Sequence, residues 1–307
     1  MNGSKGAPIL TAEGAHAASR DASWPHRKVP ASPAARRLRK IRHVALDMDG
    51  TIYKGNTLFN TTKPFLKLLD KLGIARTFIT NNPAKSTAQY LSHLKSLGIQ
   101  ATPDQLYTST QATIDFLKAR YPKVRRLFVL GTPGLCADLK AAGFELTPDH
   151  PGAPPDAVLA GFDKTLTYAR LCRAAWWLKQ GRLFFATNPD RVCPTDEPTV
   201  LVDCGSITAA LVSATGRVPD AVPGKPDPAM LEGILRRHSL APENLAMVGD
   251  RLYTDIKMAH RAGALGVLVL TGEATASEAR RYSPRPDLVV PTLTAFGNLL
   301  RSYCPRQ

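Results

Sequence analysis

Short apolar runs alternate along the chain with stretches whose apolar positions recur three and four residues apart, and this rhythm predicts most of the elements. "HVALDMD" (43–49) reads as a buried strand, "TKPFLKLLDKLG" (62–73) as a helix closed by Gly73, and "ARTFITNN" (75–82) as a second strand. "KSTAQYLSHLKSLG" (85–98) is a second helix with glycine at its C-terminal end. A separate series follows: strands in "RRLFVLG", "PPDAVLAGFD" and "RLFFATNPD", helices in "PGLCADLKAAGF" and "TYARLCRAAWWLKQG". Proline-rich punctuation, "TPDHPGAPPD" and "CPTDEP", surrounds it.

The last third returns to the first pattern. "GSITAALVSATG" is a helix, and "PDPAMLEGILRRHS" another, with Asp227 placed as N-cap and Pro228 in the first turn. "ENLAMVGD" is a strand running into an aspartate, followed by a helix in "LYTDIKMAHRAG" and a strand in "ALGVLVLTG". "DLVVPTLTAFGNLL" adds a strand and a closing helix. Regular strand–helix alternation predicts an α/β fold with a mostly parallel, doubly wound sheet. Residues 121–203 are expected to form a smaller inserted α/β domain, which divides the core into 41–120 and 204–303. The competing reading makes them further strands of one large sheet.

Charge changes the picture only at the start. The 307 residues carry a net +15. Residues 1–42 hold nine basic and two acidic side chains, a net +7, among Ala, Ser, Pro and Gly without periodicity. Residues 1–40 are therefore expected to be a disordered basic leader. A solvated tail, an organellar transit peptide and a nucleic-acid-binding arm are the readings open to it. No run of roughly 18 apolar residues predicts a membrane span. The five cysteines form no C-x-x-C pair, which fits a reducing compartment and gives neither a disulfide framework nor a zinc site. A cytoplasmic location is the expectation.

Four features share the address at which open parallel sheets bind ligands, the carboxyl ends of strands and the loops that open helices. Asp47 and Asp49 stand two apart at the end of an apolar run, so one site could receive both carboxylates, with a divalent cation relieving their repulsion. A carboxylate can attack phosphorus while a second moves the proton. The bland alternative is a polar strand end with Asp49-Gly50 as a turn. Thr80, Asn81 and Asn82 offer a hydroxyl and amides suited to phosphate oxygens, or to ordinary turn chemistry. Lys225 lies beside a predicted helix start, an address that favours anions. Asp250 and Asp255 supply hard oxygen ligands of the kind Mg²⁺ takes, although Asp255 also suits a helix first turn.

The ordered set Asp47-x-Asp49-Gly-Thr, Thr80, Lys225 and Gly-Asp250-x4-Asp255 resembles the four motifs of the haloacid dehalogenase superfamily of phosphohydrolases. The wording "DMDGTIYKGN", "TNN…KS", "TNPD", "GKP" and "VGDRLYTDI" is similar to its NagD-like, p-nitrophenyl phosphatase-type branch. The likeness covers about residues 41–303. It implies a Rossmann-like core and an α/β cap over 121–203 that selects the substrate. It implies Asp47 as a nucleophile forming an aspartyl-phosphate, and Asp49 as the residue that protonates the leaving group and activates water. Mg²⁺ would be held by Asp47, Asp250 and the Asp49 carbonyl, with Asp255 supporting the metal from behind. Thr80, Asn81, Asn82 and Lys225 would hold or balance the phosphoryl group. Asp190, Arg191, Val192 and Cys193, in the loop after the last cap strand, are the specificity candidates. Pro83 and Ala84 depart from the polar residues expected there. The implied partner is a small phosphorylated metabolite, with no membrane or nucleic acid, and a homodimer through the cap. The alternatives are a phosphotransferase or mutase using the same intermediate, and a non-catalytic protein that binds through its basic leader.

Overall fold

In a computed structural model, which describes residues 33–193 and 198–303, the His43–Asp47 strand is buried at every position. It lies fourth in a six-stranded sheet whose strands run, in order, Leu288–Val290, Leu265–Val269, Leu245–Gly249, His43–Asp47, Ala75–Thr80 and Leu106–Thr108. All five pairings are parallel. A parallel sheet is covered on both faces, which is why its strands read as continuous apolar runs. Successive side chains of the central strand serve opposite faces. Val44 and Leu46 pack with Phe65, Phe78, Val267 and Phe296, whereas Ala45 packs with Ile79, Met230 and Met247.

A second parallel sheet orders Glu145–Leu146, Arg126–Leu130, Ala157–Ala160 and Leu183–Ala186. The helices that flank residues 121–203 pack onto it. Cys204, Ile207 and Leu211 of the Cys204–Thr215 helix join Phe128, Val158 and Trp177 on one face. Ile114 and Leu117 of the Ser109–Arg120 helix join Leu127 and Phe185 on the other. Of the adjacent tryptophans, Trp177 is buried and Trp176 is exposed, as neighbouring helix positions require.

Two short antiparallel hairpins were not legible as strands: Tyr53–Lys54 with Thr57–Leu58, and Val192–Cys193 with Leu201–Val202. The helix expected over 252–263 begins as a wide turn, Leu252–Ile256, in which Ile256 N donates to Arg251 O five residues back at 3.2 Å. The regular helix is only Lys257–Arg261. The helix expected from Asp227 runs Ala229–Arg237, with the Asp227 carboxylate accepting from Ala229 N at 2.9 Å.

The leader expected over 1–40 needs correction at its end. Residues 1–32 lie outside the described residues, but Pro33–Leu38 is a helix. Its Leu38 joins the cluster that contains Ile41, Val44 and Phe296, and Arg37 pairs with Asp287 at 2.9 Å. Four basic residues between 36 and 40 masked an apolar face made by Ala35 and Leu38, three apart. Among the described residues no helix is long and apolar enough to cross a membrane.

If this helix belongs to the core, Leu38→Ala lowers unfolding free energy by about 2–4 kcal/mol in a urea titration. A change below about 0.5 kcal/mol would mark the segment as an appendage.

Candidate active site

Three neighbouring strands deliver the predicted residues to one crevice. Asp47 ends the central strand, Thr80 ends the strand beside it, and Asp250 follows Leu245–Gly249 on the other side. From the central strand the chain goes first to one side and later to the other, and such a switch point opens a crevice at the carboxyl ends. A cavity of about 530 Å³ occupies it. Asp47, Asp49, Thr80, Asn81, Asn82, Lys225, Asp250 and Asp255 all line this cavity, as do Asp190, Val192 and Cys193. Arg191 does not; its carbonyl accepts from Asp203 N at 3.0 Å and from Ser206 Oγ at 2.8 Å. Residues 194–197 of the same loop lie outside the described residues.

Lys225 is 2 % exposed, and its ammonium donates to Asp47 Oδ1 and, at 2.9 Å, to Asp255 Oδ1. Burial alone would lower the ammonium's pKa, but the Asp255 and Asp47 carboxylates outweigh it and raise it, so Lys225 stays charged. Burial pushes the Asp47 carboxyl up, Lys225 draws it down, and Asp255 and Asp250 push it up again. Asp250 is raised to about 6 by burial and by Asp255. Asp49 is raised by burial, offset in part by Lys85, and accepts from Tyr53 OH at 3.4 Å. A carboxyl that keeps its proton more readily suits general acid work.

The carboxylates fit a divalent cation. Asp47, Asp250 and Asp255 each bring an oxygen within 4.8 Å of the others. Three carboxylates against one ammonium leave two negative charges, which such an ion cancels. Asp255 is committed elsewhere, since Oδ1 accepts from Lys225 and Oδ2 from Arg251 N at 3.1 Å. Asp250 is not: Oδ2 accepts from Glu273 N at 2.7 Å, while Oδ1 is buried without a hydrogen-bond partner among the described residues. Leaving a buried carboxylate oxygen unsatisfied is costly, and a hard cation is its natural partner. Gly50, at φ 81°, admits this arrangement, because a Cβ there would stand 2.4 Å from Asp250 Oδ2.

The amides of the second strand end are spoken for. Asn81 Nδ2 donates to Asp190 Oδ2 at 2.7 Å and to Lys225 O at 3.3 Å, and its Oδ1 accepts from Lys225 N at 2.8 Å. Asn82 Nδ2 reaches Cys193 Sγ at 3.5 Å. Burial, with Asp203 and Asp49, pushes the Cys193 thiol up to about 11, which favours the neutral thiol over a reactive thiolate at neutral pH. Sequence reasoning missed Tyr53, Lys85, Asp203, Arg251 and Glu273, which also line the cavity. Arg251 directly follows Asp250 and pairs with Glu273 at 2.9 Å, but nothing in their spacing announces that pair.

Comparison with known proteins gives a consistent picture. Residues 44–145 match the model of a haloacid dehalogenase-like hydrolase family and residues 222–296 a second model of HAD-like hydrolases. The chain is 33% identical to a dihydroxyacetone phosphatase of Corynebacterium glutamicum over 244 residues, covering 80% of this chain and 86% of that one. It is 31% identical to an acid sugar phosphatase of Staphylococcus aureus, covering 81% and 94%. Among solved structures it resembles a 4-nitrophenylphosphatase of Thermotoga maritima, with a TM-score of 0.81, 38% identity and 86% and 99% coverage. A glycerol phosphate phosphatase of Mycobacterium tuberculosis, solved in complex with calcium, aligns with a TM-score of 0.76, 31% identity and 84% and 75% coverage.

Asp250 and Asp47 both hold protons more tightly in the folded chain than in the unfolded one. The stability this lends is complete below the ordinary carboxylate range and is lost as pH rises through the folded values. Without divalent cations, the wild type should therefore lose stability relative to Asp250→Asn as pH rises from about 4 to about 6, the span between an ordinary carboxyl and the folded Asp250, and keep that deficit at higher pH. Comparing the two variants cancels His43, whose imidazole is lowered to about 3 by burial and works in the opposite sense. Thermal melts check this, with added Mg²⁺ expected to stabilise the wild type over Asp250→Asn at the alkaline end. Parallel melting curves across the range, unmoved by Mg²⁺, would contradict the charge assignment.

Proposed function

The chain belongs to the haloacid dehalogenase-like hydrolases and is a phosphoric monoester hydrolase; from that premise we propose that it cleaves phosphate esters of small metabolites through an aspartyl-phosphate on Asp47. The observation that carries this reading is the Asp47 carboxylate, held at a strand end by the Lys225 ammonium, with Asp49 two residues on in the same cavity. Sugar phosphates and the phosphates of three-carbon polyols are the favoured substrates, since relatives of this chain are named for them. We assign residues 121–203 as the inserted cap that selects among these esters, seated on the discontinuous core of 41–120 and 204–303.

In the first step an Asp47 oxygen bonds to phosphorus and the bond from phosphorus to the ester oxygen breaks. Asp49 gives its proton to that departing oxygen, and its raised pKa supports this role. In the second step Asp49, now ionised, takes a proton from water as the water oxygen attacks phosphorus. The Asp47–phosphorus bond breaks, which returns Asp47 as a carboxylate and releases inorganic phosphate. Thr80 and the main chain of Asn81 would position the phosphoryl oxygens, since both side-chain donors of Asn81 are already taken. Lys225 would keep Asp47 oriented and counter the charge that gathers on the transferring group. Asp47, Asp250 and the Asp49 carbonyl would hold Mg²⁺, which when bound supplies charge neutralisation at the phosphoryl oxygens.

Asp47→Asn should abolish Mg²⁺-dependent hydrolysis of p-nitrophenyl phosphate in a colorimetric assay. Asp49→Asn should slow the first step, phosphoryl transfer to Asp47 read by single-turnover release of the alcohol, by about 10²–10⁴-fold on glycerol phosphate and by much less on p-nitrophenyl phosphate, whose leaving group needs no proton. Retained turnover in Asp47→Asn would refute the covalent route, and equal losses on both esters would remove Asp49 as the acid.

A further inference from the structure

Asp190 belongs to the loop after the Leu183–Ala186 strand of the smaller sheet, yet its carboxylate is spent on the strand end of the larger one. Asn81 Nδ2 donates to Asp190 Oδ2 at 2.7 Å, and Asn188 Nδ2 donates to the same oxygen at 3.3 Å. The other bonds of the Asn81 side chain both go to one residue: Nδ2 to Lys225 O at 3.3 Å and Lys225 N to Asn81 Oδ1 at 2.8 Å. Both donors and the acceptor of this amide are in use.

An asparagine amide can turn half a revolution and exchange its oxygen and nitrogen. Here the turned form would set Oδ1 against the Asp190 carboxylate and the Lys225 carbonyl, and Nδ2 against the Lys225 N–H, three repulsions in place of three bonds. Lys225 N and O already select this orientation, and Asp190, which when ionised only accepts, adds the shortest bond that holds the amide in it. That main chain carries the ammonium shared by Asp47 and Asp255. The segments also pass at close range. A Cβ on Gly224 would lie 2.4 Å from Thr187 O and 2.6 Å from Asn81 Oδ1, so movement of the 187–190 loop is felt directly at the lysine loop.

We propose that Asp190 is a positioning residue that, through Asn81, seats the Lys225 loop, so that the catalytic centre is complete only while the loop of the smaller sheet is docked. The proposal rests on the phosphatase reading above. It replaces the expectation that Asp190 selects the substrate by touching it. A specificity contact alters KM for one ester, whereas a positioning residue alters kcat for every ester alike, because the Lys225–Asp47 contact serves each of them.

The test is steady-state kinetics of the full chain at saturating Mg²⁺ with p-nitrophenyl phosphate and with glycerol phosphate. Asp190→Ala is expected to lower kcat about ten-fold or more, by the same factor on both esters, with KM little changed. Asp190→Leu, which keeps the branching of the side chain without an acceptor, should behave alike, and Asp190→Asn, which keeps an acceptor oxygen, should recover most of the rate. The double variant Asn81→Ala/Asp190→Ala should be no slower than Asn81→Ala alone. A loss confined to one ester, a loss carried by KM, or full additivity in the double variant would overturn the proposal. Wild-type turnover separates the two readings: no hydrolysis by the wild type defeats the phosphatase mechanism itself, while normal turnover in Asp190→Ala defeats only this role for Asp190.

Discussion

The ammonium of Lys225 lies buried between the carboxylates of Asp47 and Asp255, and the geometry of the cavity depends on it. Two buried carboxylates this close repel each other, and losing one partner of a buried ion pair costs about 3–5 kcal/mol. The lysine settles that repulsion for Asp255, whose second oxygen is satisfied by the Arg251 main chain. It leaves Asp250 with an oxygen that no donor among the described residues meets. The surplus of negative charge is therefore concentrated beside Asp47, where a cation and a phosphoryl group can both be held. Structure and chemistry are linked at this point: the interaction that lets the carboxylates be buried also orients Asp47, the residue we propose as nucleophile.

The surrounding fold keeps these groups at fixed separations. Asp47, Thr80 and Asp250 end three adjacent parallel strands, so their spacing follows from the hydrogen-bond register of the sheet. Asp255 arrives by the wide turn at Leu252–Ile256, which brings its carboxylate back to Arg251 N. The Ser109–Arg120 helix packs Ala112 with the core of the larger sheet and Ile114 and Leu117 with that of the smaller one. The loop that carries Asp190 is thereby joined to the floor of the cavity by apolar packing as well as by hydrogen bonds.

What the sequence disclosed followed physical strength. Buried parallel strands such as "HVALD" and "LAMVG" are continuous apolar runs with polar ends, and both were legible, as were the aspartates at their ends. Short hairpins were not, because two-residue strands such as Tyr53–Lys54 carry no periodicity. The helix at Pro33–Leu38 was hidden in a basic stretch, since its apolar face has only Ala35 and Leu38 to declare it. Asn81 was read as a phosphate ligand from its position; that its side chain is bonded to Lys225 and Asp190 depends on residues more than a hundred positions away. Arg251, Glu273 and Asp203 reach the cavity through tertiary contacts that no local pattern encodes.

The most direct test of the account is to quench the protein in acid during turnover of a phosphate ester and map its peptides by mass spectrometry. A single phosphoryl group on Asp47, absent when substrate is omitted, is the predicted result. Turnover with no phosphorylated peptide, or with the group on any other residue, would contradict it.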